Sequence, residues 1–155
     1  MAKMDFSLPA DLMQKFEKLQ GNQLDQICER ALESAGTIVL KETKIQLLGA
    51  IGKNPQSERD KVFGSRSTGE LVASLGESPV MMSRDGTFNV KIGFSEPRRH
   101  NSGGKEKTNA MIANVFEHGR HGQQPRPFMS KARNKSKKAA IEEVARVFTE
   151  GIESL

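Results

Sequence analysis

One apolar stripe constrains this chain more than any other feature. Leu24, Ile27, Cys28, Ala31, Leu32, Ala35, Ile38 and Val39 recur at three- and four-residue steps, the spacing that places side chains on one face of an α-helix. Glu29, Arg30, Lys41 and Glu42 fall mainly off that face. Asn22 is placed to cap the start by accepting an orphan N–H. The pattern predicts a helix from Gln23 to Leu48, about 39 Å long at the standard rise. Gly36 and the β-branched run Thr37-Ile38-Val39 weaken its middle slightly. Cys28 lies on the stripe and reads as core packing, since a buried thiol is usually inert.

The chain has 155 residues, enough for one domain with a real core. It has eight Phe but no Trp or Tyr, so seven Met and the aliphatic residues must fill that core. A single cysteine excludes an intramolecular disulfide and suits a reducing compartment. No leader opens the chain, and no apolar run approaches a membrane span. These features point to a cytosolic protein, or to part of a particle assembled in the cytosol.

Around the long helix the pattern is mixed. Ser7-Leu8-Pro9 opens a first helical stretch carrying Leu12, Met13, Phe16 and Leu19. Gly49 to Arg66, with three glycines and a proline, reads as a long loop. Ser67 and Glu70 have capping-box spacing before a short helix with Leu71, Val72 and Leu75, ended by Gly76. Phe88, Val90, Ile92 and Phe94 alternate with Thr87, Asn89, Lys91 and Gly93, a half-buried strand pattern. Arg84-Asp85-Gly86 is the turn before it. A three-residue loop with Gly86 left-handed puts Val80 and Met82 on the face of Val90 and Phe88, and buries them. A two-residue turn would put Met81 and Ser83 there, so the first register is preferred. Pro97 to Asn109 is a polar loop. Asn109 then caps a helix with Met111, Ile112, Val115 and Phe116 on one side, stopped at Gly119. Pro127 opens the last helix, with an apolar stripe of Ile141, Val144, Ala145, Phe148 and Ile152. Lys131 to Lys138 is polar nearly all round and is expected to project from the body.

The expected class is α+β: a long N-terminal helix packed on a small antiparallel β-sheet, with a short helix and a C-terminal helix. The expected organisation is a single domain over 1–155. Within it, 1–48 is the N-terminal helical segment and 49–66 a loop. Residues 67–119 carry the short helix, hairpin and helix, and 120–155 the elbow loop and C-terminal helix.

Candidate chemistry concentrates in two places. From His118 to Ala140 there are seven Arg or Lys and no acid. Arg98, Arg99, Lys131, Arg133, Lys135, Lys137 and Lys138 are therefore candidate phosphate contacts, though a solvated helix face explains such a run as well. His118 and His121 beside Glu117 invite a metal reading. A zinc site needs three or four firmly held ligands, and the loop's glycines would leave these floppy. His100 beside Arg98 and Arg99 could serve as a nuclease base, but no carboxylate cluster accompanies it. Neither Gly-rich loop matches a phosphate-cradling pattern. No catalytic residue, metal site or cofactor is assigned on this basis. The remaining focus is the elbow: Phe116, Glu117, His118, Gly119, Arg126, Pro127 and Phe128. There Glu117 and Arg126 could pair across the loop base, and the two Phe rings could anchor it.

The order of short motifs carries a resemblance. Thr68-Gly69-Glu70-Leu71 with Ser74-Leu75 precedes the hairpin. Ala113-Asn114-Val115-Phe116-Glu117-His118-Gly119 follows it, and Gln124-Pro125-Arg126-Pro127-Phe128-Met129 leads into an Ala-containing helix. This resembles the minor tail component family of tailed bacteriophages, the neck, head–tail connector and tail-completion proteins of lambda-like long-tailed phages and their prophages. The similarity runs from Thr68 to Ala132. His118 stands where an aromatic or other apolar residue is common in that family. The resemblance implies a non-enzymatic virion structural protein of the head–tail junction, assembled in the bacterial cytoplasm. It implies a homo-oligomeric ring, a hexamer in the virion, in contact with other neck and tail-tube proteins and leaving a channel for DNA, with no membrane contact. The rival readings are a small basic DNA-binding protein and a metal-dependent nuclease at His100, His118 and His121.

Overall fold

The computed structural model describes residues 21–52, 69–98 and 107–154. The helical stretch expected over Leu12 to Leu19, most of the 49–66 loop, Ser67, Thr68, Arg99 and His100 lie outside the described residues. The class is α+β. Helix α1 (Gly21–Gly52) is followed by a short helix α2 (Glu70–Ser74). Strands β1 (Leu75–Glu77), β2 (Met81–Met82), β3 (Phe88–Asn89) and β4 (Ile92–Phe94) come next. Helices α3 (Asn109–His118) and α4 (Met129–Glu153) complete the order.

α1 extends the expected helix at both ends, reaching 32 residues and about 48 Å. Besides Gly36, its buried residues are Ile27, Ala31, Ala35, Thr43 and Leu47, with Val39 half-buried between them. That row advances in four-residue steps. Each step leaves about 40° of rotation, so the row winds roughly halfway round the helix by Leu47. One helix thereby serves two cores. Ile27 and Ala31 pack with Val147 and Phe148, and Cys28 lies against them. Burial, then the charge of Asp25, pushes the Cys28 thiol pKa up, as suits packing rather than reactivity. Leu47 instead joins Leu71, Ala113 and Phe128.

α4 runs antiparallel along α1. Gly151 meets Ile27, the Ser34 hydroxyl donates to Glu143, and Lys135 lies 4.0 Å from Glu42. The buried residues of α4 are Ala132, Ser136, Ala140, Val147, Phe148 and Gly151. Of the expected stripe only Phe148 is buried, while Ile141, Val144, Ala145 and Ile152 are half-buried. The segment 131–138 does not project, because Ala132 and Ser136 seat it on α1. Its small side chains carry too little hydrophobicity to announce a buried face. Their size lets the backbones come close. The inward hydroxyls need no partner across the seam. Thr43 Oγ1 donates to the Val39 carbonyl at 2.7 Å, and Ser136 Oγ to that of Ala132 at 2.7 Å.

The hairpin has the expected register but is broken in two. Met82 opposes Phe88 and Met81 opposes Asn89. The Ser83 N–H donates to the Thr87 carbonyl, and the Gly86 N–H to that of Ser83. Gly86 has φ of +80°, as a three-residue loop requires, and Asp85 accepts the Thr87 N–H. Met82 is nevertheless 61% exposed, since β3 and not β2 is the strand of that pair packed on α1. Nearer the body, β1 pairs with β4, Leu75 opposite Phe94 and Glu77 opposite Ile92. Leu75-Gly76 is therefore strand, and the short helix stops at Ser74 rather than at Gly76. Between the ladders Pro79 and Val80 oppose Val90 alone, a bulge. Pro79 has no N–H to offer the ladder. Ser78 Oγ takes the Lys91 N–H at 2.9 Å there.

Two local signals were misplaced. α2 begins after Gly69, at φ of +74° and without a side-chain cap. Glu70 is thus the first helical residue and not the third, and Ser67, its expected partner, lies outside the described residues. α3 is capped by Thr108, whose hydroxyl accepts the Met111 N–H. Asn109 is buried. Its amide donates to the Ser95 carbonyl and accepts from Arg98, tying α3 to the end of β4. Met111 is 56% exposed, and Ala113 is buried in its stead.

Glu77 is the uneasy residue of this framework. Its Oε1 is buried without a hydrogen-bond partner, and it sits where a Cβ on Gly36 would be. Burial pushes its pKa up, and the charge of Glu33 adds to this. A carboxyl raised on folding stabilises the fold below its unfolded pKa, and that contribution is lost as pH rises through the folded value. Glu77→Gln should therefore raise urea stability at pH 7, with the gain fading on acidification into the carboxylate range. Conversely, Gly151→Ala would bring a Cβ to 2.9 Å from Ile27. It should cost about 1–3 kcal/mol of unfolding free energy through overpacking.

Candidate functional site: the elbow between the last two helices

The elbow starts where α3 stops. Gly119 has φ of +75°, and its N–H donates to the Val115 carbonyl. A side chain there would also collide, since a Cβ would lie 2.8 Å from the Gln123 carbonyl and 2.9 Å from the Pro125 nitrogen. The loop then closes on itself. Arg120 and Gln123 exchange both backbone hydrogen bonds. Gly122, with φ of +79°, takes the third position of the turn, where a left-handed residue is needed. Both glycines thus take positions that the turn geometry requires. His118 and His121 are both exposed there. Among the described residues no three His, Cys, Asp or Glu side chains are grouped to hold a metal ion.

Glu117 does not pair with Arg126. Its carboxylate accepts the N–H groups of Phe128 and Met129 at 2.9 Å and that of Ser130 at 3.0 Å. It also accepts the Ser130 hydroxyl. α4 has Phe128 at its cap position, with no side-chain cap of its own. Pro127 thus precedes the helix rather than opening it. The orphan N–H groups are satisfied by an acid supplied from the end of the preceding helix. Burial pushes the Glu117 pKa up, but the hydrogen bonds from Ser130, Met129 and Phe128 outweigh it. The carboxyl ends below its ordinary value. A Phe in the cap position, with no Ser, Thr, Asp or Asn beside it, was the signal that the cap had to come from elsewhere.

Arg126 turns to the end of α1, which packs beside the elbow. Its Nη1 donates to the Ala50 carbonyl at 3.1 Å, in the last turn of α1, where no basic residue of that helix is present. A cation there offsets the negative end of the helix dipole. The Arg126 N–H donates to the Phe116 carbonyl at 2.7 Å, and the guanidinium lies 5.9 Å from the centre of the Phe116 ring. Burial alone draws its pKa down. Phe128 is 1% exposed. Its ring meets that of Phe94 edge-on at 6.1 Å, among Leu47, Leu71 and Ala113. Phe116 and Met129 pack against the same cluster.

The candidate phosphate contacts are not gathered into one site. Lys131, Arg133, Lys135, Lys137 and Lys138 are all exposed along α4. Lys138 lies 3.9 Å from Glu142. Arg98 is half-buried and donates to Asn109 at 2.9 Å, a structural role. No helix of the described residues is long and apolar enough to cross a membrane. Compared with known proteins, the chain matches no protein-family model, no curated protein and no solved structure.

Glu117→Ala should cost about 1–2 kcal/mol, the upper range for loss of a helix cap. Because the folded pKa is depressed, the wild-type contribution is present above the ordinary carboxylate range and lost as pH falls through the folded value. Urea titrations of wild type and variant should therefore converge on acidification. Phe128→Ala should cost about 3–5 kcal/mol in the same assay, as for a large ring removed from a core.

Proposed function

We propose that this chain is a non-enzymatic structural subunit of the head–tail junction of a tailed bacteriophage, of the neck or tail-completion type. Copies form a ring, six in the virion, around the DNA channel. The ring contacts other neck and tail-tube proteins. The observation that carries the reading is the elbow. Its resemblance motifs, Glu117-His118-Gly119 and Arg126-Pro127-Phe128, lie apart in sequence, and their main side chains serve one mechanical purpose. Glu117 caps the helix that follows, Arg126 holds the end of α1, and Phe128 fills the core between them. A motif spent on setting the angle between helices suits a subunit whose task is shape.

Mass spectrometry of purified virions checks this directly. The chain should be present at low copy number, and electron microscopy should place it between capsid and tail. Its absence from virions would sink the reading.

A further inference from the structure

The α1–α4 pair is electrically polar along its length. Toward the N-terminus of α1 lie Asp25, Glu29 and Glu33, alongside four glutamates of α4 between 142 and 153. Against these seven acids, residues 21–36 and 141–153 hold only Arg30 and Arg146. The other half, residues 37–52 and 129–140, has seven Lys or Arg against Glu42 alone. The antiparallel contacts of Ile27 with Gly151 and Glu42 with Lys135 place these halves at opposite ends. The five basic residues of α4 between 131 and 138, Lys41 and Lys44 are exposed, as are Glu29, Glu33 and Glu153.

The polarity also runs against α4's own preference. A helix favours acids at its N-terminus and bases at its C-terminus, by about 0.3–1 kcal/mol each near the ends. α4 has Lys131 in its opening turn and Glu150 and Glu153 in its closing one. In the antiparallel pair the opposed dipole of α1 favours both sets, so the pair keeps two exposed ends of opposite charge, and such complementary surfaces point to a partner.

We infer that the partner is a second copy: the basic end of one α1–α4 pair docks on the acidic end of the next. A polyphosphate partner would account for the basic end alone and would be repelled by the acidic one. A contact between different surfaces of identical subunits propagates from copy to copy and closes into a ring where the rotation allows. This contact rests on the ring reading and names the surfaces that make it.

The test is sedimentation velocity on the full chain at several salt concentrations. Wild type should associate at about 0.1 M salt and dissociate toward 1 M, where the screening length falls to about 3 Å. The triple variants Lys131→Glu/Arg133→Glu/Lys137→Glu and Glu29→Lys/Glu33→Lys/Glu153→Lys should each be monomeric alone and associate when mixed. Their melting temperatures at 1 M salt, where wild type is itself dissociated, should lie close to wild type; this separates lost docking from lost folding. A wild type that is monomeric at every salt concentration, variants that still associate alone, or a mixture that does not recover would each overturn the inference. So would a basic-end variant that loses only retention of DNA on a filter, its association unchanged. Virion mass spectrometry separates the two claims. Mixed variants that associate, for a chain missing from virions, leave the contact standing and the phage role refuted. A chain found in virions but without charge-dependent association does the reverse.

Discussion

The last helix begins on a phenylalanine, and the carboxylate of Glu117 makes that start possible. A helix N-terminus exposes N–H groups that want an oxygen, usually from a Ser, Thr, Asp or Asn at the cap. Here that position is Phe128, which the core claims. A short polar side chain could not both cap the helix and fill the space between Phe94, Leu47 and Leu71. The two tasks are divided instead. Phe128 fills, and Glu117, eleven residues earlier, caps. The turn from Arg120 to Gln123 holds the two helices at the distance this requires. Arg126 applies the same logic to the opposite helix end, giving a donor to the Ala50 carbonyl of α1.

The seam between α1 and α4 rests on a different economy of size. Ala31, Ala35, Ala132, Ser136, Ala140 and Gly151 supply little apolar area apiece, yet they let two long helices lie close along most of their length. The larger side chains sit at the ends of that seam. Ile27, Val147 and Phe148 fill one end. Leu47 leaves the other to join the cluster around Phe128. The elbow fixes the start of α4 against this second cluster, and the small-residue seam carries the rest of α4 along α1.

What could be read in advance follows from how the signals arise. The stripe from Leu24 to Val39 and the hairpin loop at Arg84-Asp85-Gly86 were legible because large side chains and a left-handed glycine leave a periodic or positional mark. The Ala132-Ser136-Ala140 face was not, since alanine and serine look the same in water and in a tight seam. β1 was hidden by Gly76, which read as the end of the short helix and proves to be strand, with Pro79 in the bulge beyond it. At the elbow Glu117 and Arg126 read as a pair, and their actual partners, backbone groups of α4 and α1, were not foreseen. Opposite charges near one loop suggest a pair, whereas backbone groups at helix ends, which left the stronger claim on both side chains, are invisible in a sequence.

The cap and the basic run that follows it are connected. Lys131 and Arg133 add positive charge to a helix end that is already positive, and an uncapped end would resist them. Glu117 places a carboxylate, held ionised by four donors, directly on that end. Its charge offsets both the helix dipole and the nearest lysine. The elbow therefore does more than set an angle. It lets α4 begin with a surface of exposed cations that its own backbone disfavours, and it does so with a buried core anchor at the same residue that starts the helix. Mechanical fixation and surface charge then have one origin, the meeting of Glu117 with the N-terminus of α4.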